Sequence, residues 1–179
     1  MRQAVLEVSL HLLRTGGLDG LSVKEVAATA GVNEASIYRR WGTRENLMLD
    51  ALLSVPEGPI PVPDTGSLRA DLLAYLRSVA AWLESPLGAA LDRALAAAGD
   101  DPDIADARQE FWSKRYELAG EMITRAISRG ELPATVDGRL ILELAVSPLH
   151  VKSLLTREPF DKALPMRLVD AVLGTVDTE

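Results

Sequence analysis

The chain has 179 residues, 47% hydrophobic and 25% charged, and its 19 Lys+Arg against 26 Asp+Glu give a formal net charge of −7. That balance excludes intrinsic disorder, and the acidic total excludes a uniformly basic coat for nucleic acid or an anionic membrane while leaving room for a local patch. With no cysteine and only His11 and His150, disulfide frameworks, thiolate nucleophiles and Cys- or His-built metal centres fall away, so neither metal nor cofactor is expected. The longest apolar stretches, such as residues 141–149, are too short for a bilayer, which takes about 18–20 residues. The opening Met1-Arg2-Gln3-Ala4 carries no charged region followed by a cleavage site, so a soluble cytoplasmic protein is expected.

Apolar residues recur at three and four positions, as in Leu6, Leu10 and Leu13, so an all-α protein of about nine helices is expected. The first helix covers about residues 2–15 and stops at Gly16-Gly17. Ser22-x-x-Glu25 is a capping box for the second, and Leu21 is placed to staple onto Val26. Ala30-Gly31-Val32-Asn33 reads as a tight turn, after which Asn33 caps a third helix to about Arg40. Gly42-Thr43 breaks the chain and recaps a fourth helix from Arg44 to about Val55.

Pro56, Pro59, Pro61 and Pro63 then form a stretch no helix can cross, which divides residues 1–55 from residues 67–179 with a linker at 56–66. Beyond it, Ser67, Ser85-Pro86 and Asp101-Pro102 open helices to about Glu84, Ala98 and Arg129. Asp137 caps a helix to about Thr156, with a kink expected at Pro148, and Pro165 opens a last helix to about Val172, before Gly174.

The functional signal lies between Leu21 and Ala51. Two short capped helices around Gly31 form a helix-turn-helix, whose second member can lie in a DNA major groove. Val26, Ala27, Val32 and Ile37 are spaced to pack the helices together, leaving Glu34, Ala35, Ser36, Tyr38, Arg39 and Arg40 outward. Residues 1–55 hold six basic and six acidic groups, so the whole net charge of −7 resides in the remainder. A net-neutral unit still supplies a modest phosphate attraction, so any binding to DNA is expected to be steeply salt-sensitive.

Leu21-Ser22-Val23-Lys24-Glu25-Val26-Ala27, with Ala30-Gly31-Val32-Asn33-Glu34-Ala35-Ser36-Ile37-Tyr38-Arg39-Arg40-Trp41-Gly42-Thr43-Arg44-Glu45-Asn46-Leu47, closely resembles the DNA-binding domain of the tetracycline-repressor (TetR) family. The resemblance covers roughly the first third of the chain. It implies an all-helical homodimer, a three-helix N-terminal DNA-binding domain with the helix-turn-helix, and a C-terminal bundle that dimerises and binds a small effector. Among the family's DNA-contacting positions, which include Asn33, Ser22 and the backbone N–H groups beside it would hold a phosphate, and Lys24 would reach a guanine edge or a phosphate. Glu34 would accept from cytosine N4, Ala35 would meet a thymine methyl, and Ser36 would donate or accept. Tyr38 and Arg44 resemble backbone contacts, and Arg39 and Arg40 are divided between phosphate and guanine. Trp41 is expected to pack beneath the recognition helix, and with Arg2 the one basic residue at the start of the first helix, in place of the basic arm of many relatives, minor-groove contacts are not expected.

In the C-terminal half the resemblance places an effector pocket among the middle helices, where Tyr75, Val79, Trp82, Arg108, Phe111, Trp112, Arg115 and Tyr116 are the candidates. Arg108 and Arg115 would suit an anion if buried, or pair with nearby acids if not, and aromatics at helical spacing equally serve as core. The last two helices are more apolar than one protomer needs, and by resemblance pack across a two-fold axis through Leu140, Leu144, Pro148, Val151, Leu155, Leu168, Val169 and Val172. A repressor released from a palindromic operator by a small molecule is therefore expected. The alternatives are a regulator without effector and an enzyme or carrier with an incidental helix-turn-helix; no nucleophile–base pairing favours an enzyme.

Overall fold

The computed structural model describes residues 1–16, 20–54, 60–97 and 102–176. Among these residues it contains nine α-helices, one π-helical turn and no strand. The helices are α1 (Arg2–Gly16), α2 (Val23–Ala30), α3 (Glu34–Trp41), α4 (Arg44–Leu53), α5 (Leu68–Glu84), α6 (Pro86–Ala97), α7 (Pro102–Ser128), α8 (Gly138–Val151) and α9 (Leu164–Val176); the π-helical turn is Lys152–Thr156. The expected signals at Gly17, Pro56, Pro59 and Asp101 lie outside the described residues.

Local chemistry sets most helix starts. Ser22, Asn33, Thr43 and Asp137 each accept a backbone N–H from the first turn of the helix they precede, which satisfies donors that have no partner inside the helix. Ser85 does the same for Gly88 at 3.0 Å. Gly31, at φ 67° and ψ 33°, closes α2 in the left-handed conformation that a side chain disfavours.

Two ends differ from the sequence expectation. Pro148 lies within α8, where its missing N–H leaves the Leu144 carbonyl without an i+4 donor. Downstream the ladder widens: Arg157 N–H reaches the Lys152 carbonyl at 2.8 Å, and Arg157 turns out at φ 54°. The last helix also runs through Gly174, because Val172 is anchored in the core two residues earlier and the cost of a helical glycine, about 1 kcal/mol, is small against that burial.

The chain forms two compact units, and they are not the linear halves drawn at the prolines. The first comprises Met1–Gly58 and Ser85–Gln109; the second comprises Pro59–Glu84 and Glu110–Glu179. Helix α6 belongs to the first because Ala90, Leu91, Ala94 and Leu95 form a buried face, and α6 packs on α1 and α4. In the second unit, Leu72, Leu76, Met122, Ala126, Leu142 and Leu149 centre a core built from α5, α7, α8 and α9.

A polar clasp ties the segment before α5 to that second core. Asp71 is fully buried, and its Oδ1 accepts from both the N–H and the hydroxyl of Thr65 at 2.6 Å. Its other oxygen lies 3.6 Å from an Arg129 nitrogen. Arg129 also donates to Glu131, which accepts from Leu68 N–H at 2.6 Å, and Arg125 donates to the Pro63 carbonyl. Gly138, the first residue of α8, approaches α7 so closely that a Cβ there would lie 2.6 Å from Ile123 Cγ2.

Candidate nucleic-acid interface

Helix α3 is two turns long and has two buried anchors one turn apart, Ile37 at 2% exposure and Trp41 at 7%. Every other residue of α3 except half-buried Ser36 is exposed, so Glu34, Ala35, Tyr38, Arg39 and Arg40 form one outward face. Tyr38 is 46% exposed, so its ring and hydroxyl are open to a partner. Ser22, Lys24 and Asn33 are also exposed, and Arg44 is half-buried. Asn33 Oδ1 is occupied by Ala35 N–H at 2.8 Å, so its side chain works first as a cap.

Beneath this face, Leu21, Val23, Val26 and Ala27 bury the inner side of α2, and α1, α2, α3 and α4 pack on one another in series. The indole N–H of Trp41 donates to Asp50 Oδ2 on α4 at 2.8 Å, and Asn46 Nδ2 donates to the Trp41 carbonyl at 2.9 Å. Arg2 on α1 bonds Asp50 through Nε at 3.2 Å and through a second nitrogen. The Arg40 guanidinium stands 5.4 Å from the Trp41 ring centroid. Asp50 and Asn46 were not legible as site residues; the available signal was that a buried indole needs an acceptor, which does not say which residue supplies it.

Residues 5–51 match the model of bacterial regulatory proteins of the tetR family, and residues 62–172 match the tetracyclin repressor-like C-terminal domain. The chain is a TetR-family transcriptional regulator. It is 33% identical over 173 residues to the HTH-type transcriptional regulator AqdR of Rhodococcus erythropolis, covering 97% of this chain and 84% of the relative. It is 35% identical over 176 residues to the DNA-binding transcriptional repressor TetR of Mycobacteroides abscessus, covering 95% and 90%. Among solved structures, the TetR family transcription regulator SCO0332 is 32% identical with a TM-score of 0.77, covering 98% of this chain and 97% of that one. TetR-family regulators bind operator DNA and are not enzymes. No helix among the described residues is long and apolar enough to cross a membrane.

In this regulator the residues expected to line an effector pocket do not behave as one set. Tyr75 and Val79 are core residues, 5% and 3% exposed, while Trp82, Phe111, Trp112, Arg115 and Tyr116 are half-buried. Arg108 falls in the first compact unit and the other seven in the second. Burial pushes the Tyr75 hydroxyl above its ordinary range, with the Arg115 guanidinium, hydrogen-bonded to it, opposing the rise. Trp112 lies edge-on to Phe111 at 5.3 Å and to His150 at 5.2 Å, and Arg139 stacks 3.8 Å from the Tyr116 ring centroid. These contacts give the aromatics packing roles between α7 and α8. An open groove of about 490 Å³ between the same helices is lined by Tyr116, Gly120, Ile123, Gly138, Arg139 and Leu142, and of the expected residues it includes Tyr116 alone.

The apolar strip expected for dimerisation divides in two. Leu140, Leu144, Val151 and Leu155 are 50%, 49%, 49% and 76% exposed, and half-buried Pro148 lies between them. Val169 and Val172 are only 1% and 5% exposed and belong to the protomer's own core, with Leu168 packed partly against it. The expectation for these two valines is corrected: α9 turns them inward onto α5 and α8, and its Met166, at 49% exposure, is a large apolar residue left outside.

Proposed function

We propose that this regulator is a repressor that binds a palindromic operator as a homodimer and leaves it when a small molecule occupies the C-terminal domain. The observation that carries the reading is the α3 face, on which Ile37 and Trp41 point inward while Tyr38, Arg39 and Arg40 stand free of the core. On that face Arg39 and Arg40 serve guanine edges and phosphates, Glu34 accepts from cytosine N4, Ala35 meets a thymine methyl, and Ser36 donates or accepts. Ser22 and the start of α2 hold a phosphate, with Lys24, Tyr38 and Arg44 on the neighbouring backbone or base edge. The exposed strip Leu140, Leu144, Val151 and Leu155 supports a two-fold partner, which places two α3 helices about 34 Å apart for successive major grooves. For release, the effector must bind a conformation with the wrong half-site spacing more tightly than the competent one.

Selection of bound sequences from random duplex DNA tests contact and symmetry together. Enrichment of an inverted repeat supports the reading, and recovery of single half-sites or of no motif refutes it. On the selected duplex, Lys24→Ala or Arg39→Ala is expected to weaken binding by about 1–3 kcal/mol where the contact is to a base. A second reading, a regulator without an effector, is favoured by the burial of Tyr75 and Val79 in the core. Thermal shift against a metabolite panel separates the two, since only the first predicts ligand stabilisation.

A further inference from the structure

Asp50 lies on α4 and is not among the residues assigned to the duplex, yet its carboxylate joins three helices. Oδ2 accepts from the indole N–H of Trp41, the last residue of α3, and from Nε of Arg2 on α1, while Oδ1 takes a second Arg2 nitrogen. The same indole carries the Arg40 guanidinium over its ring. A continuous path therefore runs from α1 through α4 to a side chain on the outward face of α3.

Two-turn helices have little stability of their own, so the pose of α3 is set by what holds it. Ile37 supplies an apolar anchor, which is non-directional and tolerates rotation about the helix axis. The Trp41 indole bond is directional. A roll of about 20° moves a side chain at a helix radius of about 6 Å by about 2 Å, far beyond the tolerance of a hydrogen bond. Arg2 meanwhile offsets the charge of Asp50, so the acceptor is held beside a DNA-binding surface without presenting a bare anion to phosphates.

The geometry points to Asp50 as a positioning residue for operator recognition, which sets the roll of α3 through the Trp41 indole and so holds Arg40 where the duplex meets it. This rests on the α3 face being the DNA surface. The test is a double-mutant cycle on the selected operator, with Arg40→Ala, Asp50→Ala and the double variant titrated at fixed salt. Arg40→Ala is expected to cost about tenfold in affinity in the wild-type chain and less than about twofold in the Asp50→Ala background. Asp50→Asn keeps an oxygen for the indole and should restore most of the Arg40 contribution, which a merely structural role for Asp50 would not do. Where circular dichroism shows Asp50→Ala unfolded, Trp41→Phe removes the donor while keeping a packed ring, and takes its place in the cycle. Equal Arg40→Ala losses in both backgrounds overturn the positioning role and leave the DNA face standing. No Arg40→Ala loss in the wild-type chain overturns the proposal outright, while Lys24→Ala and Arg39→Ala report on the face independently.

Discussion

Leu144→Asp is the substitution that most directly separates an interface from a core. Leu144 is 49% exposed in the protomer. Covering about 90 Å² of it at roughly 25 cal/mol per Å² contributes about 2 kcal/mol, and two-fold symmetry counts the contact twice, for about 4 kcal/mol per dimer. A carboxylate forced into the same place adds an unpaired desolvated charge, so the dimer dissociation constant is expected to rise about a thousandfold or more. Sedimentation velocity over a wide concentration range reads that constant, and far-UV circular dichroism should show the helices intact. Val169→Asp is the contrast: at 1% exposure it should unfold the protomer instead. A Leu144→Asp chain that dimerises like wild type refutes the assignment of this strip, and one that unfolds refutes its being surface.

Gly138→Ala should destabilise by about 1–3 kcal/mol in urea, because the new Cβ meets Ile123 Cγ2 at 2.6 Å and Ile123 is a packed core residue. Pairing it with Ile123→Ala should give less than the sum of the two losses, whereas a gain in stability from Gly138→Ala alone, as helix propensity would produce, contradicts the close approach. The Leu68 N–H, with the Arg129 guanidinium second, holds Glu131 below the usual carboxylate range. Its stabilising contribution is therefore full above the unfolded pKa, about 4.3, and is lost as pH falls through the lower folded value. Glu131→Gln should lower Tm at neutral pH and flatten its fall between about pH 5 and pH 3; a wild-type slope there would show that the carboxylate is not coupled to folding.

What could be read from the sequence was local. Ser22, Asn33, Thr43 and Asp137 announce helix starts because a cap bonds within three residues, and Gly31 announces the turn because the required φ is written in the residue type. The outward face of α3 was legible because Ile37 and Trp41 are spaced one turn apart. Direction of burial was harder. Val169 and Val172 look no different from Leu144 in a run of apolar residues, and only the packing of α9 on α5 and α8 tells them apart. The partners of Trp41 and of α6 were likewise hidden, since the Asp50 bond depends on the angle between α3 and α4, and the buried face of α6 does not say which unit it covers.

The placement of α6 changes how this protein can be cut. The backbone passes from one compact unit to the other after Gly58, returns after Glu84 and leaves again after Gln109. A head fragment ending near residue 55 would strip the cover supplied by Ala90, Leu91, Ala94 and Leu95, leaving a greasy scar on α1 and α4. Grafting this head onto another regulator's body accordingly demands that residues 85–109 travel with it, and a single-junction chimera at the prolines should be prone to clumping.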